Sequence, residues 1–160
     1  MPISRVPALG PRGEGWVVLQ ALALLGVAAS ALFDAEWPDA LETPLAVVGV
    51  ASALAGAVLL AAGARALGPS LTPLPRPRPG GALRGDGVYG LVRHPIYGGV
   101  LLLAAGWTLA VAPLAGVPTA VLAVVFDLKA RREEAWLAER YPEYGAYRTR
   151  TPRRFLPWLV

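Results

Sequence analysis

The sequence predicts an all-α integral membrane protein. It should have about four transmembrane helices, the last two a helical hairpin, and a C-terminal amphipathic helix on the cytoplasmic side. Three observations carry this. Hydrophobic residues make up 55% of the 160 residues and mean hydropathy is +0.49, too apolar for an ordinary soluble domain of this length. Uncharged stretches run over 15–33, 43–64 and 95–126, and a helix needs about 20 apolar residues to cross the hydrocarbon. Every basic residue falls before the first stretch, between the second and third, or after the last. Lys and Arg gather in cytoplasmic loops, so this pattern requires an even number of spans.

In order along the chain, residues 1–14 are a cytoplasmic lead containing Pro2, Pro7 and Pro11, with Arg5 and Arg12 before the first span. Ala29-Ser30-Ala31 resembles a signal-peptide cleavage site, but the apolar run before it is longer than a usual signal core, and its loss would leave an odd number of spans. The segment is therefore expected to stay as the first span. Asp34, Glu36, Asp39 and Glu42 form an acidic outer loop. The first two spans (15–66) are rich in Gly26, Ala28, Ser30, Gly49, Ser52, Gly56 and Gly63, small residues that let helices approach closely in lipid, and are read as scaffold. The proline-rich segment from Leu67 to Gly87 cannot be helix. It is expected as an extended, arginine-bearing loop, either a linker or a binding element. The third stretch is too long for one span, and Pro113 and Pro118 place a turn in its middle. Phe126 to Tyr141 lacks Gly and Pro and should be helical until Pro142. The tail, with Tyr144, Tyr147, Arg148, Arg150, Arg153, Arg154 and Trp158, suits the headgroup level. Residues 67–160 form the expected functional core, in a bacterial cytoplasmic membrane with both termini cytoplasmic.

Composition removes several function classes. A net charge of +4 and pI near 10 could suit nucleic acid, but the arginines flank spans, which favours anionic membrane lipids as partners. With no Cys and one His, disulfides and the usual nitrogen and sulfur metal sites are absent, so no metal is expected. Gly85-Asp86-Gly87-Val88-Tyr89-Gly90 fits the dinucleotide pattern formally, yet it follows a proline-rich loop where the pattern requires a strand. These glycines are read as turns. No serine lies in a nucleophile-elbow context.

Two polar clusters remain, and the topology puts both on one side. Tyr89, Arg93, His94 and Tyr97 precede the third span, and Arg131, Glu133 and Glu134 follow the fourth. In a hairpin these ends are neighbours, so Arg or His on one helix can face Glu on the other. Pro95 suits the first helical position, which sets His94 at the positive end of the third span. At 100° per residue Phe126, Ala130, Leu137 and Tyr141 share a face, with Glu133 on it and Glu134 at its edge. A carboxylate on an apolar stripe needs a partner. From the residues alone, a structural ion pair and a ligand site stay equally open.

The segments Leu67-Gly68 to Thr72-Pro73, Gly87 to Gly99 with Arg93-His94-Pro95-Ile96-Tyr97, and Glu133-Glu134-Ala135-Trp136-Leu137 with Tyr141-Pro142-Glu143-Tyr144 resemble the isoprenylcysteine carboxyl methyltransferase family of membrane enzymes over residues 65–157. The resemblance implies S-adenosylmethionine as cofactor, held at the cytoplasmic ends of the last spans, and a lipophilic or lipidated acceptor arriving from the bilayer for carboxyl or other heteroatom methylation. It implies Tyr89, His94, Pro95, Tyr97, Glu133 and Glu134 as cofactor-binding residues, with His94 near the amino-acid end of the cofactor, and Arg93 and Glu134 as catalytic residues. The rival readings are an NADPH-dependent sterol-type membrane reductase and a non-catalytic membrane scaffold.

Overall fold

The computed structural model describes residues 6–33 and 35–157; Arg5, Asp34 and Trp158, which entered the charge and tail readings, lie outside them. The described residues form the helices α1 (Glu14–Ala29), α2 (Asp39–Leu67), α3 (Val88–Leu91), α4 (Pro95–Ala110), α5 (Gly116–Arg140) and α6 (Tyr144–Arg150), with no strand among them. In space α4 lies between α2 and α5, and α1 packs on the other side of α5.

The glycines of the second stretch explain the α2–α4 contact. Gly49, Gly56 and Gly63 recur every seven residues on α2 and are its buried residues. Opposite them on α4, Gly99 and Gly106 keep the same spacing and are buried too. A Cβ on Gly56 would stand 2.6 Å from the Gly99 carbonyl oxygen, and one on Gly106 would stand 2.6 Å from that of Gly49. Backbone touches backbone here, so no larger residue fits. Ser52 Oγ adds a hydrogen bond across the same seam to the Leu102 carbonyl at 2.9 Å. This is small-residue packing of the kind that holds helices together in lipid.

The outer surfaces are apolar. Leu22, Leu25, Val47, Leu54, Val58, Val117 and Val124 are all more than half exposed, as expected where lipid is the solvent. Glu14–Leu32, Asp39–Ser70 and Pro113–Arg140 are long and apolar enough to cross a membrane, whereas Pro95–Ala110 is a shorter apolar helix. With 16 residues, α4 rises only about 24 Å. Of the about four transmembrane helices expected, three are of spanning length and the one over Pro95–Ala110 is shorter. Pro95 fixes where α4 begins, and the non-helical backbone of Val111 and Ala112 ends it. The hairpin turn falls over 111–115, slightly earlier than the sequence suggests, because Pro118 sits in the first turn of α5, where its missing N–H costs nothing.

Beyond Phe126, α5 runs unbroken into the charged segment. The tail then departs from the headgroup-level expectation by folding back beneath the start of α4. Arg93 N–H donates to the Arg153 carbonyl at 3.1 Å and His94 N–H to the Arg154 carbonyl at 2.8 Å. Gly98 permits this return, because a Cβ there would collide with the Phe155 carbonyl. Tyr144 and Tyr147 are consequently buried.

Replacing Gly56 by Leu should separate α2 from α4 and destabilise the protein by at least about 1–3 kcal/mol, the usual cost of overpacking. Gly145→Ala, where nothing lies within 4 Å of the new Cβ, should be close to neutral. Thermal denaturation of both variants in detergent micelles checks the contrast.

Candidate functional site

Glu134 organises the site. Its carboxylate is buried, and its Oε1 accepts from three cationic or imidazole groups: Arg93 Nε at 3.0 Å, His94 Nε2 at 3.1 Å and Arg154 Nε at 3.3 Å. Arg93 is buried as well, and its Nη1 donates to the carbonyls of Thr151, at 2.7 Å, and Pro152. Arg154 also pairs with Asp127 one helical stretch earlier on α5. The hairpin's two ends and the returning tail are thereby locked around one carboxylate. A buried pair tolerates its desolvation only when further hydrogen bonds support it, and here Arg93 Nε and Nη1 and Glu134 Oε1 all have partners.

Glu133 behaves differently. It sits in the middle of the predicted face yet its side chain is 26% exposed, against 7% for Glu134. The helical phase placed Glu133 on the face, in need of a partner, and Glu134 at its edge; in the structure Glu133 has Tyr97 as partner and lines the cavity, while Glu134 is the more deeply buried. The reason is what covers the face: Arg154 and the tail close over its edge, while its centre opens onto a cavity. Glu133 Oε2 accepts from the Tyr97 hydroxyl at 2.7 Å and lies 4.0 Å from His94 Nδ1. His94 stands between the two acids.

The cavity has a volume of about 420 Å³, within the range of ~300–1,000 Å³ typical of small-molecule sites. Its walls are α2, the loop from Ser70 to Arg84, the start of α4, and α5 with the tail helix. One wall is a ring stack. His94 and Tyr97 lie with centroids 5.3 Å apart and planes 4° from parallel, and Tyr97 stacks on Phe126 at 4.6 Å. Of the residues expected from the sequence, Tyr89, Arg93, His94, Tyr97 and Glu133 line the cavity. Pro95 and Glu134 do not; Pro95 caps α4 behind it and Glu134 holds the lining residues from outside.

Several lining residues went unnoticed in the sequence. Lys129, the chain's one lysine, is fully buried at the cavity wall. It donates to Gln20 Oε1 of α1 at 2.6 Å, and its ammonium stands 5.0 Å from the centre of the Tyr97 ring. Lys129 falls three residues from Phe126 and four from Glu133, so its helical position pointed inward; grouping it with the other basic residues hid that. Gln20, the one polar side chain within the first stretch besides Ser30, gave a signal that the scaffold reading passed over. Tyr141 and Tyr144 also line the cavity, together with loop residues Ser70, Thr72, Arg78 and Arg84.

The phenols are neutral donors. Burial raises Tyr147 to about 12 and raises Tyr89 and Tyr144 as well. Tyr147 donates to the Tyr89 carbonyl at 2.8 Å, but the Tyr144 hydroxyl is buried with no hydrogen-bond partner among the described residues. An orphaned hydroxyl in a cavity wall is costly unless a ligand satisfies it. The accessible groups fit S-adenosylmethionine: a carboxylate (Glu133) for an ammonium or ribose hydroxyls and the Tyr97 ring for a cationic centre, while Lys129 and the Tyr144 hydroxyl are sealed from solvent. Among the described residues no group of acidic or His side chains is arranged to hold a metal.

A family model for phospholipid methyltransferases matches residues 45–144, a span that contains α2 from residue 45 onward, the loop, the hairpin and all the expected site residues. Among curated proteins none matches the sequence.

Glu134→Ala should cost about 3–5 kcal/mol, because it strands the buried Arg93 charge, whereas Glu133→Gln should leave stability nearly unchanged; denaturant unfolding in mixed micelles separates the two. Gln20→Leu should cost about 1–3 kcal/mol by leaving the Lys129 ammonium without its acceptor. Adding Lys129→Met to that variant should restore part of the loss, and a double-mutant cycle reads the coupling directly.

Proposed function

The chain belongs to the phospholipid methyltransferase family, whose members are S-adenosylmethionine-dependent membrane methyltransferases, and from that membership we propose that its cavity binds S-adenosylmethionine and directs methyl transfer to a heteroatom of a lipophilic acceptor. The observation that carries this is the mixed polar and apolar lining of the cavity. Glu133 and Tyr97, joined by a hydrogen bond, are polar groups of its lining, and Leu60, Ala64 and Leu67 of α2 with Ile96 and Val100 of α4 are apolar ones. A charged cofactor suits the first, and an acyl or prenyl chain entering from the bilayer suits the second.

When bound, the cofactor supplies an activated methyl group on a cationic sulfur. The protein then has to align donor and acceptor and exclude water, a task of positioning more than of acid–base chemistry. Glu133, oriented by the Tyr97 hydroxyl, would hold the cofactor's ammonium or ribose hydroxyls. His94 and Tyr97 give the polar lining a flat aromatic face, and Tyr89 closes it. Glu134 acts from behind by fixing Arg93 and His94, Arg93 lines the cavity beside His94, and Pro95 fixes the start of α4. No general base is required if the acceptor arrives as a carboxylate, thiolate or free amine, which accounts for the lack of one. Carboxyl methylation of an isoprenylcysteine-type acceptor is the specific reaction we favour, on the Arg93-His94-Pro95-Ile96-Tyr97 and Glu133-Glu134 resemblance. We assign residues 67–160 as the methyltransferase core and place the site on the cytoplasmic side, where the arginines lie.

Isothermal titration of purified protein should show S-adenosylmethionine binding that weakens about 10–100-fold in Glu133→Gln, the loss of one charge-assisted contact. Radiolabelled methyl groups should pass from the cofactor into a membrane lipid extract, and identification of the labelled product names the acceptor. Stabilisation by NADPH alone would overturn this reading in favour of a reductase. Cofactor binding without transfer to any extract would favour a non-catalytic scaffold.

A further inference from the structure

A second pocket, of about 430 Å³, lies on the other side of the proline-rich loop, and its lining is Arg12, Thr72, Leu74, Arg76, Pro77, Arg78, Pro79 and Arg140. Half of those residues are arginine and none is acidic. They come from three separate parts of the chain: the N-terminal lead, the loop after α2, and the last residue of α5.

The fold holds these charges together against their repulsion. The lead and the loop interlock, since Pro75 is fully buried against Gly13, whose positive φ of 86° lets the chain turn there. Arg76 N–H donates to the Arg12 carbonyl at 3.3 Å, and Arg76 Nη1 donates to the Pro11 carbonyl at 2.8 Å. Arg78 Nη1 donates to the Pro69 carbonyl at 2.8 Å, and Arg140 stacks over Tyr141 at 5.6 Å. Arg12 pairs with Glu14. Among the described residues Arg76, Arg78 and Arg140 have no carboxylate within ion-pair distance. Carbonyls orient guanidinium groups but do not neutralise them. Several convergent, uncompensated guanidinium groups are the arrangement that phosphate oxygens satisfy.

We infer that this pocket binds the phosphate of an acidic phospholipid headgroup, a site separate from the acceptor's. A lipid is favoured over a free phosphate ion because the pocket is built from the lead before α1, the loop after α2 and the last residue of α5, at the ends of the three helices long and apolar enough to cross a membrane. Thr72, Leu74, Pro77 and Arg78 line both this pocket and the larger cavity, so the loop is a shared wall. A headgroup seated on the outer side fixes the inner side, and acidic lipid should strengthen ligand binding in the cavity. The binding itself stands apart from the methyltransferase reading; only this coupling rests on it.

The test titrates detergent-solubilised full-length protein with dihexanoyl phosphatidylglycerol, dihexanoyl phosphatidylcholine and inorganic phosphate, reading thermal stability with no methyl donor present. Phosphatidylglycerol should raise Tm more than phosphatidylcholine does. Its half-saturating concentration should rise about 30-fold in Arg76→Gln/Arg140→Gln, from the attraction typical of two basic residues at a membrane surface. Arg140→Gln alone, which among the described residues gives up a ring-face contact and no ion pair, should show a several-fold rise, so the site stays testable if the double variant fails to fold. Equal shifts with both lipids, or unchanged half-saturation in both variants, would overturn the site. A full shift with inorganic phosphate alone would overturn the lipid assignment. Repeating the titration with S-adenosylmethionine present reads the coupling, and a lipid shift that persists without any cofactor response leaves the pocket standing and removes the methyltransferase reading.

Discussion

One buried carboxylate oxygen decides where everything else at the site can be. Glu134 Oε1 takes hydrogen bonds from Arg93, His94 and Arg154, and each belongs to a different constraint. Arg93 pins the tail through its carbonyls, His94 starts α4, and Arg154 ties the tail back to α5. A guanidinium buried this deeply cannot shed its charge, so its counter-ion is obligatory. In an apolar solvent the requirement is stricter than in water, because no solvent molecule can stand in for a missing partner. The ring stack of His94, Tyr97 and Phe126 and the exposure of Glu133 to the cavity both follow from His94 being held this way.

The division of labour between the paired acids follows from that constraint. Glu134 has its Oε1 committed to the frame, while Glu133 faces the cavity and has its orientation set by one phenol. Adjacent residues on a helix point 100° apart, which is enough for one to be sealed by the tail and the other to meet a ligand. A pair of identical side chains can therefore supply a rigid support and a binding group from two consecutive positions. The framework they stand on is equally economical: two helices that meet through glycine leave room at their ends for the loop and tail that wall the cavity.

Much of this was legible in the sequence because the signals were local. Charge placement and apolar length marked the helices, Pro95 marked the start of α4, and the small residues of the first two stretches marked close helix packing. The Arg93-His94-Pro95-Ile96-Tyr97 and Glu133-Glu134 runs marked the two clusters, and the hairpin set them on one side. What stayed hidden depended on contacts distant in sequence. The return of residues 151–155 under α4 is made by backbone hydrogen bonds, which no side-chain pattern announces. Without that return, Tyr144 and Tyr147 read as headgroup-level aromatics, and Glu134 reads as lying at the edge of the apolar face. Gln20 and Lys129 were hidden from each other because they lie 109 residues apart, and each has a bland explanation alone.

The proline-rich loop shows why composition left a linker and a binding element equally open. Proline removes donors and prevents helix, but it also lowers the number of conformations a loop has to give up on ordering. Pro75 uses that rigidity, filling the space beside Gly13 while neighbouring residues turn toward the cavity on one side and the arginine-lined pocket on the other. A flexible linker of the same length would pay an ordering cost each time a ligand arrived. A loop held in place by buried proline and by hydrogen bonds to the N-terminal lead has already met most of that cost, so small binding energies on one face can be felt on the other. The loop is accordingly as much a part of the site as the two helix ends it covers.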